Sequence, residues 1–317
     1  GVYTKEMLLN GQNFSPDTVR EMLTVCVMSY GSLRIDSRKK DVRKVYQENG
    51  NLFRFAEYFK DTDALLADTP DTALIQVLRH LEPIVVVDES HNAESKLSTE
   101  MLNNLNPSFV LDLTATPRKN SNIISYVDAR ELKKEHMVKL PVVVYNRTTR
   151  QSVIQDAIQL RGSIEQEAIA AEAAGGKYIR PIVLFQAQPR TGDNSDTFDK
   201  IKAMLVGMGI PENQIAVKTS DVDDLKGQDL MSRDCEIRYI ITVNALKEGW
   251  DCPFAYILAS LANRTSTVDV EQILGRILRQ PYAMQHKSPL LNTSYVLTNS
   301  VDFHTTLEKI VAGLNKA

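Results

Sequence analysis

Short apolar runs separated by helix-length amphipathic segments recur along almost the whole chain, and this alternation restricts the fold more than any other feature. Strands joined through helices cannot be antiparallel hairpins, because a parallel pair is what requires a long crossover, usually a helix. The pattern therefore predicts an α/β protein built on parallel sheets. Strands are expected at 25–29, 84–88, 109–113, 142–145, 182–185, 215–217, 239–243, 256–260 and 295–297. Helices are expected near 16–24, 38–47, 51–60, 71–81, 97–104, 196–208, 268–279 and 302–314. The first of these opens with Ser15-Pro16-Asp17, an N-cap, a first-turn proline and an acid placed to meet the helix dipole.

The least sheet-like stretch is 151–174, rich in Ala, Gln, Glu and Ile and closed by Gly175-Gly176, which predicts one long helix with a glycine stop. Strand-rich sequence flanks it on both sides, and 317 residues suffice for two domains. The expected domains are 1–141 and 142–317, the second beginning with the long linker helix. Apolar residues make up 43% and charged residues 24%, a globular profile, and no apolar run has the length of a membrane span. The net charge of -3 excludes an overall basic nucleic-acid coat while leaving room for a local basic groove. The run 38–44 (RKKDVRK) is either a solvated helix face, the plainer reading, or a binding patch. Cys26, Cys235 and Cys252 lack CxxC spacing, so zinc and a disulfide framework are not expected. A reducing cytoplasm is, with all three thiols as small buried apolar groups.

Four stretches carry chemistry. IVVVDESH (84–91) ends a strand in Asp88-Glu89, at the sheet edge where open α/β sheets bind ligands. Adjacent acids are costly to bury unless something positive meets them. An acid here can hold the water shell of Mg²⁺, and the next can orient water toward a phosphoryl group; an acidic turn capping a helix is the plainer alternative. FVLDLTATP (109–117) ends a second strand in the hydroxyl-rich turn Thr114-Ala115-Thr116, stopped by Pro117, which alone is ordinary turn chemistry. ITVNALKEGWDCP (241–253) runs from a strand into Gly249-Trp250-Asp251, where glycine admits a close ligand and Asp251 can accept from ribose hydroxyls or an arginine. A helix cap with a core tryptophan is the alternative. VDVEQILGRILR (268–279) places Gln272, Gly275, Arg276 and Arg279 on one helical stripe, with Ile273, Leu274, Ile277 and Leu278 filling much of the rest. Two arginines on an apolar helix suit an anion, since guanidinium matches phosphate oxygens; surface ion pairs are the competing explanation.

In this order the four stretches resemble motifs II, III, V and VI of superfamily 2 helicases and translocases. KEGWD and the PSFVLDLTATP context look most like the Res subunits of type III restriction enzymes. The resemblance runs from about Thr24 to Leu297, with fainter echoes at 27–33, 181–185 and 216–221. It implies an α/β fold of two RecA-like parallel-sheet domains, the first incomplete, with ATP between them and nucleic acid across the pair. It further implies that Asp88 holds Mg²⁺, Glu89 activates water and His91 links hydrolysis to the second domain. Thr114, Ala115 and Thr116 would couple the nucleotide to the nucleic-acid face. Gly249 and Asp251 would sense nucleotide, and Gln272, Arg276 and Arg279 would meet the γ-phosphate. Thr219 and Thr242 are further candidates for contacts to a strand backbone. Expected partners are double-stranded DNA and a modification or specificity subunit, with no membrane. Such motifs alone leave open a superfamily 2 helicase of another defence or repair system, and a catalytically silent nucleic-acid-binding module.

A P-loop, G-x-x-x-x-G-K-[ST], occurs nowhere in the sequence; Gly175-Gly176-Lys177 is followed by Tyr178 and has Ala171 where the first glycine belongs. A fragment lacking its Walker A segment is the expectation. About forty residues follow Arg279, with no D…E-x-K cluster, so cleavage is not expected of this stretch. Taken alone, the 317 residues are predicted to bind ATP weakly and hydrolyse little. A phosphate-release assay with and without DNA checks this; DNA-stimulated turnover that Glu89→Gln abolishes would overturn it.

Overall fold

A computed structural model describes residues 1–29, 33, 44–58, 66–88, 96–114, 122–188, 197–243, 250–262 and 267–314. The chain divides into two compact units, Gly1–Ser125 and Tyr126–Ala317. The division falls ahead of position 141, so the segment leading into the strand at 142 packs with the second unit.

In the first unit, β1 (Val2–Thr4) leads straight into α1 (Lys5–Leu9), whose Thr4 cap accepts from the Met7 amide at 3.4 Å. Helix α2 (Pro16–Glu21) starts as its Ser-Pro-Asp signature requires, with the Ser15 hydroxyl accepting from the Thr18 amide. Then come β2 (Val25–Val27), α3 (Phe53–Tyr58), α4 (Leu74–His80), β3 (Ile84–Asp88), α5 (Lys96–Asn104) and β4 (Phe109–Leu113). Strands β1 and β2 pair in parallel, as do β3 and β4. Leu8, Phe14, Leu52, Phe55, Leu74, Ile75 and Val77 form the core, with the Phe14 and Phe55 rings 4.8 Å apart. The short β1 and α1 lie outside the sequence expectation, being too brief to show a period. The expected helix at 38–47 falls largely outside the described residues; of its described part, Lys44–Tyr46 form a single 3₁₀ turn.

Strand β3 departs from expectation in one respect. An apolar run at the heart of a parallel sheet is expected to bury on both faces, yet only Val87 is buried, while Ile84 and Val86 are 70% and 57% exposed. Among the described residues β3 has one partner strand, so it alternates like a one-sided sheet and carries Asp88 on the outward face with Ile84 and Val86.

The second unit begins with α6 (Ala129–Lys134), capped by an Asp128–Glu131 box. It continues through β5 (Val142–Asn146), α7 (Arg150–Ala173), β6 (Ile182–Gln186), α8 (Phe198–Gly207), β7 (Ile215–Lys218), β8 (Tyr239–Thr242), β9 (Ala255–Ser260), α9 (Thr267–Leu278), β10 (Ser294–Thr298) and α10 (Val301–Leu314). All six strands are parallel, in the order β5-β10-β9-β6-β8-β7. Every residue of β6, β8, β9 and β10 is buried, which is how four unbroken apolar runs satisfy the hydrophobic effect. Helix α7 packs on β6, β9 and β10, α8 on β8, and α9 on β9. The glycine stop of α7 is real: Gly175 has φ +85°, and a side chain at Gly176 would meet the Ala171 carbonyl at 2.7 Å. Thus the chain is α/β, built on parallel sheets. The three cysteines are free thiols, with Cys252 buried and Cys26 and Cys235 half-buried against the cores.

A buried arginine ties the sheet to its loops. The Arg180 side chain donates to the carbonyls of Leu230 and Ser232 at 2.7 Å and of Ile237 at 3.0 Å, fixing the 230–237 loop against the start of β6. Arg180→Met should lower stability by about 3 kcal/mol, since three buried carbonyls would lose their donors. Urea unfolding followed by circular dichroism checks this.

Candidate functional site

In the first unit the register sets Asp88 opposite Leu113, with Thr114 next in line, so both motif ends finish on one carboxyl edge. The Asp88 carboxylate is exposed and Thr114 half-buried. An exposed acid at this position keeps its hydration and can reach a hydrated cation, which a buried one could not without a partner. Glu89, His91, Ala115, Thr116 and Gly249, all expected site residues, lie outside the described residues.

The second unit concentrates polar side chains along the corresponding edge of its sheet. The register places Asn146, Thr298, Ser260, Gln186, Thr242 and Lys218 side by side as the last residue of each strand. At β6 and β9 the outgoing connections run in opposite directions, toward β7 and toward β10, which makes the gap between their carboxyl ends a topological switch point. Here the Ser260 hydroxyl donates to Gln186 Oε1 at 2.7 Å, and Gln188 donates to the Leu261 carbonyl at 2.7 Å. Gln186, Gln188 and Ser260 were not singled out from sequence. The signal available was small: one polar residue closing each apolar run.

Of the two threonine candidates, Thr242 is 1% exposed, and its hydroxyl has no hydrogen-bond partner among the described residues. Thr219 has a local task, its hydroxyl accepting from the amides of Asp221 and Val222 to close the turn after β7.

Helix α9 buries Val270, Leu274 and Ile277, leaving Gln272 and Arg276 half-buried on the adjoining face. Arg279 does not extend that stripe. The helix ends at Leu278, and Arg279 forms an antiparallel bridge with Val138. Both arginines nevertheless converge on the Trp250–Asp251 turn. Arg276 donates to the Trp250 carbonyl at 2.6 Å, and Arg279 pairs with the Asp251 carboxylate at 2.6 Å. Of the alternatives open for Asp251, the arginine is the one observed. Each contact orients a guanidinium, a group whose planar fork of donors suits an anion such as phosphate.

Residues 5–119 match the family described as "Type III restriction enzyme, res subunit". This span includes DESH and LDLTATP. A search of curated proteins gives no match. Similar solved structures include Dbp5 of S. cerevisiae bound to RNA and ADP BeF3, 15% identical, covering 87% of this chain and 74% of that one with a TM-score of 0.43. They also include the ATP-dependent Type ISP restriction-modification enzyme LlaBIII bound to DNA, 14% identical, with 98% and 23% covered and a TM-score of 0.49. A third is the Mycobacterium smegmatis helicase Lhr bound to ssDNA and AMP-PNP, 13% identical, with 99% and 37% covered and a TM-score of 0.44.

The Asp251 and Arg279 side chains are 54% and 47% exposed, so their attraction is screened by water. A double-mutant cycle with Asp251→Asn and Arg279→Gln, read by urea unfolding, should give a coupling no larger than about 1 kcal/mol.

Proposed function

We propose that the chain is a Res-like superfamily 2 motor segment, from the match of residues 5–119 to that family, and that it works in an ATP-dependent translocase or helicase acting on double-stranded DNA within a restriction-type enzyme. The observation that carries the proposal is the family match over 5–119, within which the exposed Asp88 closes a strand at the carboxyl edge. The proposal includes two RecA-like domains, corresponding to the units Gly1–Ser125 and Tyr126–Ala317.

The donor set suits a magnesium-bound nucleotide. Among the described residues no group of three His, Cys, Asp or Glu forms a metal cage. Mg²⁺ needs none, because it is held through one or two carboxylates and keeps several waters. Bound there, it would neutralise charge on the phosphate oxygens. In this reading Asp88 holds the ion's water shell, and Glu89 orients the attacking water and takes its proton. Gln272, Arg276 and Arg279 direct donors at phosphate oxygens, with the Trp250 carbonyl and Asp251 fixing the direction of the two guanidinium groups. Gly249 and Asp251 register the nucleotide, and His91 and the Thr114–Thr116 turn pass its state onward. Thr242, which is buried, and Thr219, which closes its own turn, are not counted among the groups that meet the DNA backbone, whose contacts position a duplex without reading sequence. Recognition of a DNA site would then fall to a modification or specificity subunit, in the cytoplasm.

Arg276→Ala in the intact protein that carries this chain should reduce kcat for ATP by ~10³–10⁵, the range for an arginine that stabilises a transferring phosphoryl group. Steady-state ATPase with saturating DNA checks it, and an unchanged rate would remove Arg276 from the site.

A further inference from the structure

We propose that Lys139, which lies in none of the four motif stretches, is the positioning residue that holds the Asp251 turn and Arg279 at a fixed separation. The proposal deepens the reading of Asp251 and Arg279 as nucleotide-facing groups and rests on it.

Lys139 has no solvent exposure. A fully buried lysine is rare and costly, because ammonium is strongly hydrated in water. Its nitrogen has found two carbonyls and a ring face. The Nζ donates to the Pro253 carbonyl at 2.9 Å and to the Arg279 carbonyl, and lies 4.4 Å from the centre of the Tyr256 ring. Pro253 stands two residues beyond Asp251, and the other acceptor belongs to Arg279 itself. One ammonium thus spans the backbones that carry the two members of the ion pair.

The backbone around Lys139 forms a clip on one side only. Its amide donates to the Leu278 carbonyl at 2.5 Å, the Gln280 amide donates to the Met137 carbonyl at 2.9 Å, and Val138 bridges Arg279. The Ser294 hydroxyl lies 3.1 Å from both the Lys139 and Ile277 carbonyls. These contacts fasten 137–139 to the end of α9, where a positive charge also meets the carbonyl end of the helix. They do not reach the Asp251 turn, whereas Nζ does. The ion pair itself is about half exposed and too weak to set the spacing.

Stability does not explain the residue. Burial pulls the ammonium from the usual 10.5 down to about 7, opposed by Cys252 and by the Asp251 carboxylate. The other titratable groups facing it are the Cys252 thiol, pushed up to about 12 by burial, the Tyr256 phenol, raised by burial, and His286, lowered by burial and by the Lys139 charge. With its folded value below its unfolded one, Lys139 contributes stability that is complete above the unfolded pKa and is lost as pH falls from about 10.5 toward about 7. An apolar isostere would avoid that loss while breaking the span.

Lys139→Met is therefore the test. At pH 7 the donors lost to the Pro253 and Arg279 carbonyls oppose the relief of a buried ammonium, so its Tm should stay close to that of the parent, and the fall in Tm between pH 9 and pH 7 should be smaller. Amide hydrogen exchange in this chain should nevertheless rise at least tenfold at 252, 254 and 255 and at 278–280. In the intact enzyme, kcat for ATP should fall at least tenfold, and the substitution should cost nothing further in an Arg279→Ala background. Unchanged exchange at 252, 254 and 255 would overturn the proposal, as would losses of exchange protection and activity that only follow a lower Tm. If Lys139→Met lowers Tm, Lys139→Arg, which keeps a cation and its donors, should restore the exchange protection; equal losses in both variants would also overturn it. Should Arg279→Ala leave the ATPase rate unchanged, the nucleotide-facing reading fails, while the exchange result still decides what Lys139 does.

Discussion

Parallel pairing is the constraint on which the second unit depends. A parallel strand must return by a crossover, so β5 to β10 all finish on the same edge of one sheet. Residues that close six separate apolar runs, and have no relation along the chain, thereby form one row from Asn146 to Lys218. The connections from β6 and β9 then leave in opposite directions at Gln186 and Ser260, whose side chains hydrogen-bond to each other. The buried aliphatic sheet supplies the stability, and the polar residues that close its strands gather at one edge.

Charge in this unit is handled differently at each depth. Arg276 and Arg279 reach partly exposed positions on the Trp250–Asp251 turn, where each contact orients more than it stabilises. Below them, Lys139 is dry, its Nζ held by two carbonyls and an aromatic face. Arg180 is similarly dry, with carbonyl acceptors from the 230–237 loop and the Tyr178 hydroxyl at 3.3 Å. In both buried cases a cation organises backbone that belongs to no helix or strand. Such loops carry free carbonyls, and a buried carbonyl without a donor is costly.

Where the sequence was legible, the reason is periodicity with length. Strands β3 and β4 fall on the expected residues, and α7 falls within one residue at each end, because unbroken apolar runs and a glycine stop are local signals. Helix α2 was readable from Ser15-Pro16-Asp17 alone. Strand β1, α1 and α6 were missed, being too short to show a period. In the candidate site, Asp88, Thr114, Asp251 and Arg276 stood out because unusual polar residues followed strands or interrupted an apolar helix. Arg279 was placed one step too far along the helix, since the bridge to Val138 that ends it comes from a segment more than a hundred residues earlier.

By itself the sequence determined the α/β class, the parallel strands, the long helix and the strand-end position of Asp88, all of which follow from the order of residue types along the chain. Tertiary structure alone decided that β3 would bury one face, that Gln186 and Ser260 would meet, and that Arg276 and Arg279 would close on one turn. It also decided the place of Lys139, a lysine that in sequence looks like any solvated one. The physical reason is the same throughout: these outcomes depend on which distant backbone carbonyls and side chains are brought within hydrogen-bonding reach, and a local pattern cannot encode that separation.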